Sequence, residues 1–468
     1  MIRSNSKLQT TNSSIIPYLS ILLALTLIVR LTIFVRQRPG TEFTHIDSFA
    51  VLQIILVVLS CALFLVFPFQ QVMWKRLART SGMMLILYYI LSGLSAIWSP
   101  LPTYSLFRAV EYLSQILIVF VITWYCTDFI NAERKMLFLS FIAILLGASM
   151  TIKFYGITLD LKNWHTNHYS VSAAMVFCYC FSELLTHPGE RSRWLWRYGL
   201  GGFGFLILGT SVASFIAAGV GVTVAIFLSK QGRALFVHLL IAVSLTSGIV
   251  FLAKAIPSAP DWIELGRQLK IVSPYQRESP ALSLHGRVVL WEQYMQEIVQ
   301  SPLYGHGFAV SSRLSNLYTT NTHNGYLAAL LGTGAIGFTV MCCGWYRLSR
   351  EIKYSLQSSP SGTIGCTSAF TAALINNMTL SFIGEQWRAP SFVFVSILSL
   401  YLLFVLKSEE KGTTSPQILK IRKASQRRTA LSPLVPLTWT RRTSGMTGPR
   451  SFVTNRRRTA WLRGNWRH

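Results

Sequence analysis

"NTHNGYLAALLGTGAIG", residues 321–337, sets Asn321, Thr322, His323 and Asn324 at the mouth of an apolar run that continues to about residue 345. A run of about 20 residues with few charges is what a helix needs to cross a ~30 Å hydrocarbon layer. The stretch reads as a membrane helix with a polar entrance. Composition extends that reading to the whole chain, because 468 residues that are 51% hydrophobic and only 13% charged cannot clothe an ordinary soluble domain.

Apolar stretches at 15–35, 49–69, 83–98, 109–126, 136–154, 169–186, 235–253, 323–345, 362–384 and 389–406 predict ten spans. The segment 194–229 is too long for one spanning helix. Arg191 and Arg193 precede it and Lys230 and Arg233 follow it, and basic residues mark cytoplasmic loops. Two short helices that turn at Gly209-Thr210-Ser211 on the outer side satisfy both ends. The expectation is an all-α integral membrane protein of about 12 transmembrane helices with both termini cytoplasmic. Of the 43 Lys and Arg residues, 30 fall in the regions this topology places inside.

The resulting organisation is a cytoplasmic N-terminus (1–14), nine spans (15–253), a large extracytoplasmic loop (254–322), three spans (323–406) and a basic cytoplasmic tail (407–468). The tail contributes +13 of the +26 net charge, and a basic segment beside a membrane meets anionic lipid headgroups rather than nucleic acid. It is expected to be disordered. The seven cysteines lie in the apolar spans, which argues against a disulfide framework. Arg30 and Arg36 follow the first apolar run where a small-residue cleavage site would stand, so that run is expected to be an uncleaved span.

Gly199–Gly204 and Gly332–Gly337 both match G-x-G-x-x-G. A nucleotide fingerprint needs a preceding strand and a βαβ unit. Here both copies lie inside spans, where small residues let helices pack closely.

The large outer loop holds "HGRVVLWEQYMQEIVQSPLYGHG", in which Leu290, Trp291, Tyr294, Met295 and Ile298 share one helical face and Glu292, Gln293, Gln296 and Glu297 the other. This predicts an amphipathic helix lying along the membrane surface. Arg287 falls near the centre of its apolar face. There a guanidinium needs an anion, either a glutamate or lipid headgroup or a substrate diphosphate that its planar fork suits. His323 could be a helix-mouth decoration beside a Thr322 or Asn321 cap. Its sharing of one compartment with Arg287 and the Pro-Leu-Tyr-Gly-His-Gly turn favours a functional site.

"GRVVLW", "SPLYGHGFA" and "THNGYLAALLGTGAIG", in that order and spacing, resemble the signature region of the O-antigen ligase and polymerase family, including exopolysaccharide polymerases. "WSPLPTYSLFRAVEYL" (98–113) and "NWHTNHYSVSAA" (163–174) are similar to the family's outer-side segments. The resemblance implies a GT-C-like glycosyltransferase of the bacterial cytoplasmic (inner) membrane. Such an enzyme moves glycan from an undecaprenyl diphosphate carrier to an acceptor glycan hydroxyl, with no metal or cofactor and with a chain-length regulator as a possible partner. It further implies that His323 is the general base, that Arg287 and Arg108 hold the diphosphate, and that His306, Asn324, Tyr326, Ser211 and His168 line the substrate site. A polymerase is preferred over a ligase to lipid A core or a protein O-oligosaccharyltransferase.

The residues agree with metal independence, since the outer loops lack D-x-D and the His165/His168 pair lacks a third ligand. One departure is that many members carry Ser-Arg where the two short helices turn, whereas 209–214 reads Gly-Thr-Ser-Val-Ala-Ser. Arg267, Arg277 or Arg313 could substitute. The rival from another class is a twelve-span transporter or flippase, for which repeated halves and broken midplane helices are expected. The sequence shows no internal repeat.

Overall fold

The computed structural model describes residues 16–31, 48–66, 71–126, 128–155, 167–186, 192–209, 211–229, 287–311, 314, 322–358, 362–385 and 387–410. Among these residues the structure is all-helical. In order come α1 (Ile16–Leu31), α2 (Ser48–Val66), α3 (Gln71–Leu77), α4 (Ser81–Leu94) with a 3-10 turn (Ser95–Ile97), α5 (Pro102–Trp124), α6 (Phe129–Tyr155) and α7 (Asn167–Thr186). There follow α8 (Ser192–Gly209), α9 (Val212–Leu228), α10 (Arg287–Gln300), α11 (Gly325–Ser358), α12 (Thr363–Asn377) and α13 (Ala389–Glu410). The apolar run 235–253, most of the large loop and the basic tail after 410 lie outside the described residues.

Among the described residues four helices are long and apolar enough to cross a membrane, over Pro102–Trp124, Tyr169–Thr186, Gly325–Gln357 and Ala389–Leu406, and four shorter apolar ones accompany them. The segment 194–229 divides into α8 and α9 around 210–211, as the flanking charges require. Local chemistry sets other ends. Pro102 opens α5, where its missing N–H costs nothing. Asp128 Oδ1 accepts the Asn131 amide at 2.7 Å and caps α6. Glu351 of α11 takes both the amide and the hydroxyl of Ser81 at 2.8 Å, placing a carboxylate at the positive end of α4.

The centre of the bundle is α7 and α13. Helix α7 packs against α6, α8, α9, α12 and α13, and α13 against α5, α6, α7 and α12. Every described side chain from 169 to 176 and from 389 to 403 is buried, which is how a helix apolar on all sides is accommodated. Helices α1 and α2 keep Ile21, Leu25, Ile55 and Val58 exposed on the outside.

Two expectations change. The apolar face of α10 does not stay free for a membrane surface: Leu290, Tyr294 and Ile298 are buried against Leu331, with Leu314, Leu327 and Leu330 around them. The first half of α11 offers a larger apolar partner at close range. Helix α11 is also not continuous, since Gly334 adopts φ 61°, ψ −166° inside it, a region open essentially to glycine alone.

Candidate functional site

The break in α11 is built by the loop that precedes it. The His306 and Gly307 amides donate to the carbonyls of Leu331 (2.7 Å) and Gly332 (2.9 Å), while Ala335 and Ile336 donate back to Pro302 (2.8 Å) and Leu303 (3.3 Å). The turn 302–307 therefore satisfies the backbone groups that the interruption frees, as buried backbone requires. Close approach explains the glycines. A Cβ on Gly305 would lie 2.6 Å from the Gly332 and Gly334 backbone, and one on Gly334 would lie 2.3 Å from the Leu303 carbonyl. The second G-x-G-x-x-G copy thus serves a docked turn rather than helix–helix packing.

The far side of this turn is pinned to the corner between α4 and α5. Trp98 Nε1 donates to the Tyr304 carbonyl at 3.0 Å, and Ser95 Oγ accepts the Phe308 amide at 2.9 Å. Three residues on, Ser311 donates to Glu385 Oε1.

Glu385, buried in the connection between α12 and α13, then reaches the mouth of α11. Its Oε1 lies 3.4 Å from the Thr322 amide and 3.2 Å from the Thr322 hydroxyl, which is also 3.0 Å from Ser381 Oγ and from the Asn324 carbonyl. From α10, Trp291 Nε1 donates to the Thr322 carbonyl at 3.2 Å. Thr322 is thus gripped on both sides of its peptide. Beyond it His323 takes φ 49°, a left-handed conformation uncommon outside glycine. Asn324 Oδ1 accepts the amides of Tyr326 (3.0 Å) and Leu327 (3.2 Å). Asn324 is therefore the helix cap, not Thr322 or Asn321, because the turn at His323 aims the Asn324 side chain at the first free amides. The half-buried imidazole of His323 stands at the vertex, with its Nδ1 buried.

A cationic pair is tied to the start of α13, just after Glu385. Arg108 of α5 is buried, donates from Nη1 to Glu111 Oε2 at 2.8 Å and stacks its guanidinium over Tyr104, 4.9 Å from the ring centroid. Gln53 of α2 holds the other Glu111 oxygen. One turn along, the Tyr112 hydroxyl donates to Ser391 Oγ at 2.7 Å, and Ser391 Oγ accepts the Arg388 amide at 3.2 Å. Arg388 is thereby seated beside Arg108, immediately before α13. Burial lowers its pKa from the ordinary arginine value and Arg108 adds to the effect, against the attraction of Glu385, Tyr112 and Tyr104. Among the described residues the Arg388 guanidinium makes no hydrogen bond or ion pair.

The residues picked from sequence are placed as follows. His323 and Asn324 form the mouth. Arg108 joins it from α5 through the Tyr112–Ser391 link, although one of its amino groups is engaged by Glu111. His306 lies in the docked turn with Nε2 2.8 Å from the Glu297 carbonyl, so it ties the turn to α10. Tyr326 donates to the Leu374 carbonyl at 3.1 Å. Ser211 stands at the start of α9, 3.1 Å from Ser214, which itself reaches Asn376 Oδ1 at 3.2 Å. Arg287 and His168 begin α10 and α7, but their side chains lie outside the described residues, as do Arg267, Arg277 and Arg313.

Sequence reasoning did not single out Glu111, Glu385, Arg388 or the hydrogen-bonding role of Trp291. A signal existed for two of them, since Glu385 and Arg388 are the two charged residues in the whole stretch 354–406. Among the described residues no three His, Cys, Asp or Glu side chains gather within metal-ligating reach.

No curated protein matches this chain. Residues 198–342, from within α8 to beyond the break in α11, match the family model described as O-Antigen ligase. The docked turn, the His323 mouth and Trp291 lie inside that match, while Arg108, Glu385 and Arg388 lie outside it. With its apolar helices and this matched region, the chain is a multi-pass membrane protein that over residues 198–342 is similar to the O-antigen ligase family.

Proposed function

We propose that the protein is a GT-C-like glycosyltransferase of the bacterial cytoplasmic membrane, with about twelve spans and both termini in the cytoplasm. In this reading it extends an exopolysaccharide or O-antigen by transferring glycan from an undecaprenyl diphosphate donor to an acceptor sugar hydroxyl on the outer face. The carrying observation is that a half-buried histidine stands at a left-handed turn beside Thr322, which Trp291 and Glu385 hold, while Glu385 lies three residues before the partly buried Arg388, itself linked through Ser391 and Tyr112 to the helix of the buried Arg108.

The chemistry assigned to those groups balances. His323 takes the proton of the acceptor hydroxyl, whose oxygen forms the new bond to the anomeric carbon. The bond from that carbon to the phosphate oxygen breaks, and undecaprenyl diphosphate leaves with its charge held by arginines, Arg287 and Arg108 among them. Backbone held in a sparsely populated conformation fits a group whose position matters. The same site chemistry serves a ligase to lipid A core or a protein O-oligosaccharyltransferase, which differ in acceptor.

The transporter reading gains one observation, the break in α11, because interrupted helices mark substrate sites in transporters. Here, however, the freed backbone groups are taken by the turn 302–307 rather than left for an ion.

The test is transfer by the purified chain from an undecaprenyl-diphosphate-linked glycan, read as lengthened product by mass spectrometry, beside uptake into liposomes. His323→Ala should lower turnover ~10²-fold or more while donor affinity is kept. Full-rate transfer by His323→Ala, or uptake without transfer by the wild type, would overturn the reading.

A further inference from the structure

Arg388 sits at a position that is costly for a cation in three ways. It is half-buried, it neighbours the buried Arg108, and its carbonyl accepts the first helical amide of α13, from Phe392 at 3.0 Å, which puts it at the positive end of that helix. The nearby acids do not relieve it by contact. Glu111 is held by Arg108 and Gln53, and Glu385 by Ser311 and Thr322.

The backbone that carries the guanidinium is nevertheless firmly placed. The Arg388 amide, Ser391, Tyr112 and the Phe382 carbonyl form one hydrogen-bonded chain, and the Trp387 ring stands edge-on to Tyr112 with centroids 5.0 Å apart. Arg108 also keeps capacity, since its Nε is buried without a partner.

We propose that Arg388, together with Arg108, is the anion clamp of this site, binding the diphosphate of the lipid-linked donor. Each of the three costs turns into a gain once an anion with two phosphoryl groups lies on the pair: the guanidinium finds acceptors, the two like charges share a counter-charge, and the helix end faces a negative group. The pair supplies cationic charge from α5 and the start of α13. The inference rests on the glycan-transfer reading, because that reaction supplies the diphosphate.

The test is binding of undecaprenyl diphosphate, with undecaprenol as the uncharged comparison, to the full-length protein in detergent micelles. Wild type should prefer the diphosphate. Arg388→Gln should weaken diphosphate binding tenfold or more and leave undecaprenol binding and the melting temperature unchanged. Arg388→Lys, which keeps charge without the fork, should fall between them. If Arg388→Gln bound the diphosphate as wild type does, or lost both ligands equally, the clamp would be refuted while the transfer reading stood. If wild type showed no preference for the diphosphate, the transfer reading would fall and the clamp with it.

Discussion

Two stretches of this chain share the pattern G-x-G-x-x-G and use it for different physical ends. In α8, Gly199 faces Cys180 and Gly202 faces the backbone of Ala173 and Phe177, so the glycines let α7 and α8 approach along a regular interface. In α11, Gly332 and Gly334 receive the backbone of the turn 302–307, and Gly334 leaves the helical region altogether. A motif written as letters does not separate these cases. The difference lies in what sits across from the glycine, a regular antiparallel helix in one case, a turn whose amides and carbonyls pair with the backbone freed by the break in the other.

The largest effect should follow from filling the second site. Gly334→Ala would put a Cβ 2.3 Å from the Leu303 carbonyl and 2.5 Å from the Tyr304 amide, at a φ of 61° that disfavours any side chain. Both neighbours are backbone, so nothing flexible can yield, and about 3 kcal/mol or more of destabilisation is expected. Because the same turn leads to Phe308 and to Ser311, which holds Glu385, transfer activity should collapse although Gly334 touches no proposed site residue. A thermal melt in detergent beside the transfer assay checks this. Normal activity with an unchanged melt would mean that the turn is not docked on the break.

How far the sequence could anticipate this architecture follows from the same distinction. Apolar length located the long apolar helices among the described residues, helical spacing located α10, and flanking arginines located the turn between α8 and α9, because hydrophobic burial and charge act through composition, whereas the short α3 was not anticipated. The entrance at His323 was visible as a polar cluster before an apolar run. The identity of its cap was not, since Asn324 caps only once His323 takes a left-handed turn that Trp291 and Glu385, 31 and 63 residues away from Thr322, help to hold. The break at Gly334 was hidden for the same reason: its hydrogen bonds come from another segment. The pairing of Arg108 with Glu111 at i, i+3 was legible in "RAVE" and would have shown that one amino group of Arg108 has a partner on its own helix. Arg388 was legible as an isolated charge among apolar runs, but its lack of a carboxylate partner among the described residues emerges only from the packing.

A smaller effect is expected at the helix–helix copy. Gly202→Ala would bring a Cβ 3.2 Å from both the Ala173 carbonyl oxygen and the Phe177 amide nitrogen, a contact that α7 and α8 can relieve by separating a few tenths of an ångström. A cost of about 1–2 kcal/mol follows from that overpacking. Transfer activity should largely persist, because α7 and α8 meet here away from the His323 mouth. A melt lowered as far as that of Gly334→Ala would erase the contrast between the two copies.

The smallest effect belongs to the last glycine of the same copy. Gly204 is exposed in α8, and a Cβ built on it meets nothing within 4 Å. Its backbone is ordinary helix, so alanine introduces neither strain nor overlap. The substitution removes conformational freedom from the unfolded chain and adds a methyl group to an outward face, which together should stabilise by about 0.5 kcal/mol. Gly204→Ala should therefore melt at or slightly above the wild-type temperature and transfer glycan at the wild-type rate. A clear loss of stability at Gly204 would mean that this face of α8 too is covered by a close-packed partner, beyond the α7 that Gly199 and Gly202 face and the Phe141 of α6 that Gly201 faces.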